Sequence, residues 1–123
     1  MAKMLNLMLV DDSRIILNRL SAQLLEMKNI AKVVKANTFQ KAVDVLENEV
    51  IDVALLDINL PGKNGIDLLE HITKNFPHIK TIMVTNQGSD HYRATCAELG
   101  SFGFIDKSRE IEKLPSLIFQ AAL

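Results

Sequence analysis

The stretch "VALLDINLPGKNG", residues 53–65, decides how the rest of this chain is read. Its opening apolar residues leave no polar face, and a strand of that kind is buried on both sides, as in the centre of a parallel sheet. Yet it ends in an acid, Asp57. Pro61-Gly62 and Gly65 then shape a loop that lets backbone approach that acid and lets a helix start close by. The buried strand delivers a carboxylate to its own mouth.

Working outward, the hydrophobic period switches back and forth along the chain. "LNLMLV" (5–10), "KVVKA" (32–36), "DVALL" (52–56), "IKTIMV" (79–84) and "FGFI" (102–105) are short and apolar, which predicts five strands. Between them, Ile16, Leu20 and Leu24 recur at helical spacing after the capping candidates Asp12 and Ser13. Phe39, Val43 and Leu46 follow Thr38, and Leu68, Leu69, Ile72 and Phe76 follow Gly65. A helix over 88–99 has a thinner apolar set (Tyr92, Ala94, Ala97, Leu99), with Gly100 as its stop. Pro115 suits a first turn and not a helix interior, so the last helix is expected to begin near Lys113. Strands alternating with helices predict an α/β chain: a doubly wound (βα)5 unit with a five-stranded parallel sheet, right-handed crossovers and helices on both faces.

The totals agree with a single domain over residues 1–123. The chain is 48% hydrophobic and 24% charged, and its net charge of −1 gives no reason to expect nucleic acid or a membrane as partner. One cysteine, Cys96, excludes an internal disulfide and a zinc site built on several thiolates. The start "MAKMLNLMLVDDS" is too short in apolar residues for a signal peptide or a membrane span, and a cytoplasmic protein is expected. No repeat, low-complexity tract or linker marks a boundary, so no output domain is expected within these residues.

In sheets of this kind, ligands bind outside the carboxyl ends of the strands. Those ends carry Asp11 and Asp12, then Asp57, then Thr85, then Lys107. Like-charged carboxylates about 4 Å apart repel by roughly 4 kcal/mol at an effective dielectric of about 20. Three of them therefore need cations, and one Mg2+ with the Lys107 ammonium neutralises the set. Mg2+ (or Mn2+ in its place) suits carboxylates, a carbonyl and waters, whereas the thiols and paired histidines that zinc or iron prefer are missing there. His71, His78 and His91 are scattered without ligand spacing and read as surface residues. A carboxylate beside Mg2+ is a nucleophile toward phosphorus, with metal and lysine screening the oxygens of the transferred group. Asp57, alone at the end of a central strand, is the better nucleophile, and the adjacent Asp11 and Asp12 are the better ligands.

Asp11-Asp12, Asp57 with Pro61-Gly62 and Gly65 behind it, Thr85, and "FIDK" ending in Lys107 together resemble the receiver domain of response regulators. This is the phospho-accepting module of two-component signalling, as in chemotaxis receivers. The resemblance implies a flavodoxin-like strand order, 2-1-3-4-5. It implies that Asp57 takes a phosphoryl group from a histidine kinase or phosphotransfer protein, with slow self-catalysed transfer and hydrolysis in place of a true enzyme's turnover. Asp11, Asp12, Asp57 and the backbone carbonyl of Asn59 would hold Mg2+. Lys107 would pair with the phosphate and the Thr85 hydroxyl would swing toward it. Phe104 matches an aromatic position that changes rotamer with Thr85 and reshapes a face that binds a downstream protein, although a core aromatic explains Phe104 nearly as well.

Two residues depart from the family pattern. Asn86 stands where a small residue usually follows the threonine, which predicts altered rates of phosphorylation and phosphate loss. Ser108 stands where proline usually follows the lysine. A cis bond before a non-proline residue costs about 3–4 kcal/mol, so a trans Lys107–Ser108 peptide is favoured. Two other readings compete. A Mg2+-dependent phosphohydrolase would want a second acid two residues after the nucleophile, where this chain has Asn59, and it would need a cap insertion to hold substrate. A pseudo-receiver would keep the fold as an interaction platform without phosphorylation.

Overall fold

The computed structural model describes residues 3–86 and 90–123. The elements run β1 (Leu5–Val10), α1 (Arg14–Leu25), β2 (Ile30–Ala36), α2 (Phe39–Asn48), β3 (Val53–Leu56), α3 (Gly65–Asn75), β4 (Lys80–Thr85), α4 (Asp90–Glu98), β5 (Gly103–Asp106), a 3-10 turn (Ile111–Lys113) and α5 (Leu114–Ala121). The strands form one parallel sheet in the order β2-β1-β3-β4-β5. The first strand has the expected bounds. β2 starts two residues early, because Ile30 pairs with Leu5 before a register shift. Asp52 lies outside β3, where its carboxylate accepts the Asn6 N–H at 2.8 Å. β4 and β5 each run one residue later than their apolar cores, which makes Thr85 and Asp106 terminal strand residues. The expected helix over 88–99 spans Asp90–Glu98, and residues 88 and 89 lie outside the described residues. The last helix begins at Leu114 with its proline in the first turn, as expected.

The sheet separates two apolar layers, because side chains alternate faces along a strand. Met8, Val10, Ala54, Leu56 and Met83 pack with Leu46, Leu68, Leu69, Ile72 and Cys96 on one side. Leu7, Leu9, Val53, Leu55, Ile82 and Ile105 pack with Leu17, Leu20, Leu24, Leu114 and Ile118 on the other. All four residues of β3 are buried, which confirms its central place and explains its unbroken apolar run.

Local chemistry starts the helices next to the sheet's carboxyl edge. Ser13, and not Asp12, caps α1: its hydroxyl accepts the Ile16 N–H at 3.3 Å. Asn64 caps α3 in a reciprocal box with Asp67, a signal the sequence reading missed. Gly62 sits at φ 74°, so the turn after Pro61 uses a conformation that glycine adopts freely.

Candidate functional site

Register places the acids. Val10 pairs with Leu56, and the Asp57 N–H donates to the Val10 carbonyl at 2.9 Å, so Asp11 and Asp57 leave neighbouring strands at one level. Asp11, Asp12 and Asp57 each offer a carboxylate oxygen within 4.8 Å of the others. Asp11 and Asp57 are buried while Asp12 is exposed. Lys107, the residue after β5, closes the group: its Nζ donates to Asp57 Oδ2 at 2.9 Å and to Asp11 Oδ2. Asp57 Oδ1 accepts from the Thr85 hydroxyl at 2.8 Å and from the Asn59 N–H at 3.2 Å. Asp11 Oδ1 accepts the Ser13 N–H at 2.9 Å, which ties the start of α1 to the same centre.

Burial and pairing compete here. Burial pushes the Asp11 carboxyl above its ordinary range, and the bonds from Lys107 and Ser13 only partly offset it. Burial would lower the Lys107 ammonium, but its bonds to Asp11 and Asp57 outweigh that and raise it. Lys107 therefore stays protonated. Three carboxylates against one ammonium leave two negative charges, which is the charge of one divalent cation. The donor set is all oxygen, as Mg2+ prefers. Asp11, Asp12 and Asp57 thus fit such an ion.

A second polar cluster adjoins the first, and no local pattern in the chain signals it. Glu110 Oε1 accepts from Arg93 Nη2 at 2.5 Å and from the Asp106 N–H at 3.1 Å. Arg93 also donates to the Phe104 carbonyl at 3.2 Å, with its guanidinium 4.7 Å from the Phe104 ring centre. Arg93 pulls the Glu110 carboxyl down to about 2. Asp106, which precedes the lysine, accepts the Ser108 hydroxyl at 2.6 Å and the Ser108 N–H at 2.9 Å, and these bonds lower its carboxyl.

Six of the eight site residues singled out in the sequence come together at the centre. Asp11, Asp12, Asp57, Thr85 and Lys107 come together by side chain and Asn59 by its backbone N–H. Phe104 lies buried beneath Arg93. Asn86 follows Thr85 and is exposed. The Lys107–Ser108 peptide is trans, as favoured.

The family model for the response regulator receiver domain matches residues 7–119. The match spans nearly the whole chain, and this chain belongs to the response regulator receiver family. It is 38% identical over 101 residues to the transcriptional regulatory protein CpxR of Escherichia coli K12, covering 82% of this chain and 42% of that protein. It is 27% identical over 115 residues to the response regulator UvrY of the same strain, covering 94% and 53%. The chain thus spans about half the length of these curated relatives. A CheY-like receiver domain structure from Methanospirillum hungatei superposes with a TM-score of 0.84 at 31% identity, covering 96% of this chain and 93% of that one. Among the described residues, no helix is long and apolar enough to cross a membrane.

Proposed function

We propose that this chain accepts a phosphoryl group on Asp57 from the phosphohistidine of a histidine kinase or phosphotransfer protein, and that the acceptance requires Mg2+. The observation that carries the reading is Asp57 itself: a buried carboxylate with Lys107 on one oxygen and Thr85 on the other, at the mouth of the central strand. An Asp57 oxygen attacks phosphorus, a P–O bond forms and the P–N bond breaks. The electron pair leaves with the imidazole nitrogen, which takes up a proton. Lys107 holds the negative oxygens of the group in transfer, in a cleft where each charge interacts more strongly than in water. Asp11, Asp12, Asp57 and the Asn59 carbonyl would hold the Mg2+. When bound, the metal supplies the positive charge that lets a phosphoryl group approach three acids.

In this reading Thr85 leaves Asp57 Oδ1 for the new phosphoryl group, and Phe104 responds. The surface of α4, β5 and α5 then changes toward a downstream protein. Hydrolysis of the aspartyl phosphate is slow and self-catalysed. Residues 1–123 act as one receiver unit in the cytoplasm, and Asn86 tunes the phosphate's lifetime. Incubation with Mg2+ and phosphoramidate, read by intact mass, tests the core of this. One added phosphoryl group that disappears in Asp57→Ala is expected. No mass gain with any donor, and no beryllofluoride binding, would point to a pseudo-receiver instead.

A further inference from the structure

β5 is the edge of the sheet, with β4 on one side only. Phe104 and Asp106, alternate residues of β5, direct backbone groups away from β4, where no neighbouring strand takes them up. Two side chains meet them. Arg93 of α4 donates to the Phe104 carbonyl, and Glu110 accepts the Asp106 N–H. The two side chains bond to each other, so together they occupy the edge as a piece of strand would. Glu110 also returns its own N–H to the Asp106 carbonyl at 2.8 Å, which closes the loop in both directions.

Lys107 sits inside that closed loop. Its N–H reaches the Thr85 carbonyl at 3.0 Å, and its long side chain must span to Asp11 and Asp57. A lysine side chain has many rotamers, so the position of its backbone decides how often the ammonium lies between the two acids. We propose that Glu110, anchored by Arg93, is a positioning residue for phosphoryl acceptance: it fixes the end of β5 so that the Lys107 ammonium stays on Asp57. The inference rests on the reading of Asp57 as phosphoryl acceptor. It also makes α4 an energetic neighbour of the reacting carboxylate, through Arg93 and without contact.

The test uses the 123-residue chain and two readouts. The first is the rate of mass gain at Asp57 with phosphoramidate at saturating Mg2+, corrected for the folded fraction. The second is the 15N signal of the Lys107 ammonium, recorded without donor or metal, where slow proton exchange reports the bonded state. Glu110→Ala is expected to slow phosphorylation about tenfold, the scale of a small misplacement of a reacting group. It should also lose the protected ammonium signal. Glu110→Gln keeps an amide oxygen for the Asp106 N–H and should recover most of both. Arg93→Ala should add no further slowing on top of Glu110→Ala, since the two act as one unit.

A Glu110→Ala protein with the wild-type rate and the wild-type ammonium signal overturns the role. A slowing that vanishes after correction for folded protein does so too. Should Glu110→Ala not fold, Arg93→Ala and Glu110→Gln decide by the ammonium signal. If the wild type takes no phosphoryl group, the reading of Asp57 fails, while the ammonium signal still tests the clasp.

Discussion

A side chain on Gly65 would collide with the backbone of Asp57: a Cβ there would lie 1.9 Å from the Asp57 carbonyl oxygen and 2.8 Å from the Ile58 Cα. The Gly65 N–H donates to the Ile58 carbonyl at 2.8 Å, so α3 begins against the chain that leaves β3. The close approach inferred from the loop glycines is therefore real at this position, and it fixes where the acid emerges.

Gly65→Ala should destabilise the fold by about 2–4 kcal/mol, since the contact is with backbone and has no rotamer through which to relax. Gly62→Ala, where nothing lies within 4 Å of the added carbon, should cost only the positive-φ penalty of about 1 kcal/mol. Urea unfolding of both variants measures the difference. Equal costs would contradict the close-approach account.

Removing the ammonium should expose the charge problem it solves. Lys107→Ala leaves three neighbouring carboxylates with no counter-ion, and breaking a buried pair costs about 3–5 kcal/mol. The variant should melt well below wild type in EDTA and gain more from added Mg2+ than wild type does. Thermal unfolding with and without the metal checks this. A metal-insensitive variant would remove the case for a divalent site.

The Thr85 hydroxyl bonds a carboxylate at a buried position. Thr85→Val keeps the shape and deletes the donor, which should cost about 1–3 kcal/mol. Thr85→Ser should retain most of the stability. The comparison is read from denaturation midpoints at constant m-value.

Glu110 provides a pH signature. Its folded carboxyl is depressed to about 2 from 4.5. The unfolded chain therefore binds the proton first as pH falls. The stabilisation is fully present above pH 4.5 and is lost as pH drops toward about 2. In Glu110→Gln that part of the acid-unfolding curve should flatten. A Glu110 titration near 4.5 in the folded protein, followed by NMR, would contradict the clasp with Arg93.

Much of this protein is legible in single residues. The unbroken apolar run of β3 announces a central strand, because only a strand buried on both faces can dispense with polar side chains. Asp11, Asp57 and Thr85 each follow an apolar run and Lys107 comes one residue further on, after Asp106, and the rule that parallel strands present their ends on one edge brings them together without further information. Pro115 likewise sets the start of α5, because its ring excludes it from a helix interior.

What only the tertiary structure decided is how those groups are shared out and braced. That Lys107 bonds Asp11 as well as Asp57 depends on strand order and stagger, since the partners are 96 and 50 residues away in the chain. The Arg93–Glu110 pair is beyond any local pattern, because its members meet only after β5 has taken its place at the sheet edge and left backbone groups to satisfy. Hydrophobic periodicity reports which face of a segment is buried. It carries no information about which polar side chain reaches an exposed edge once the layers have packed.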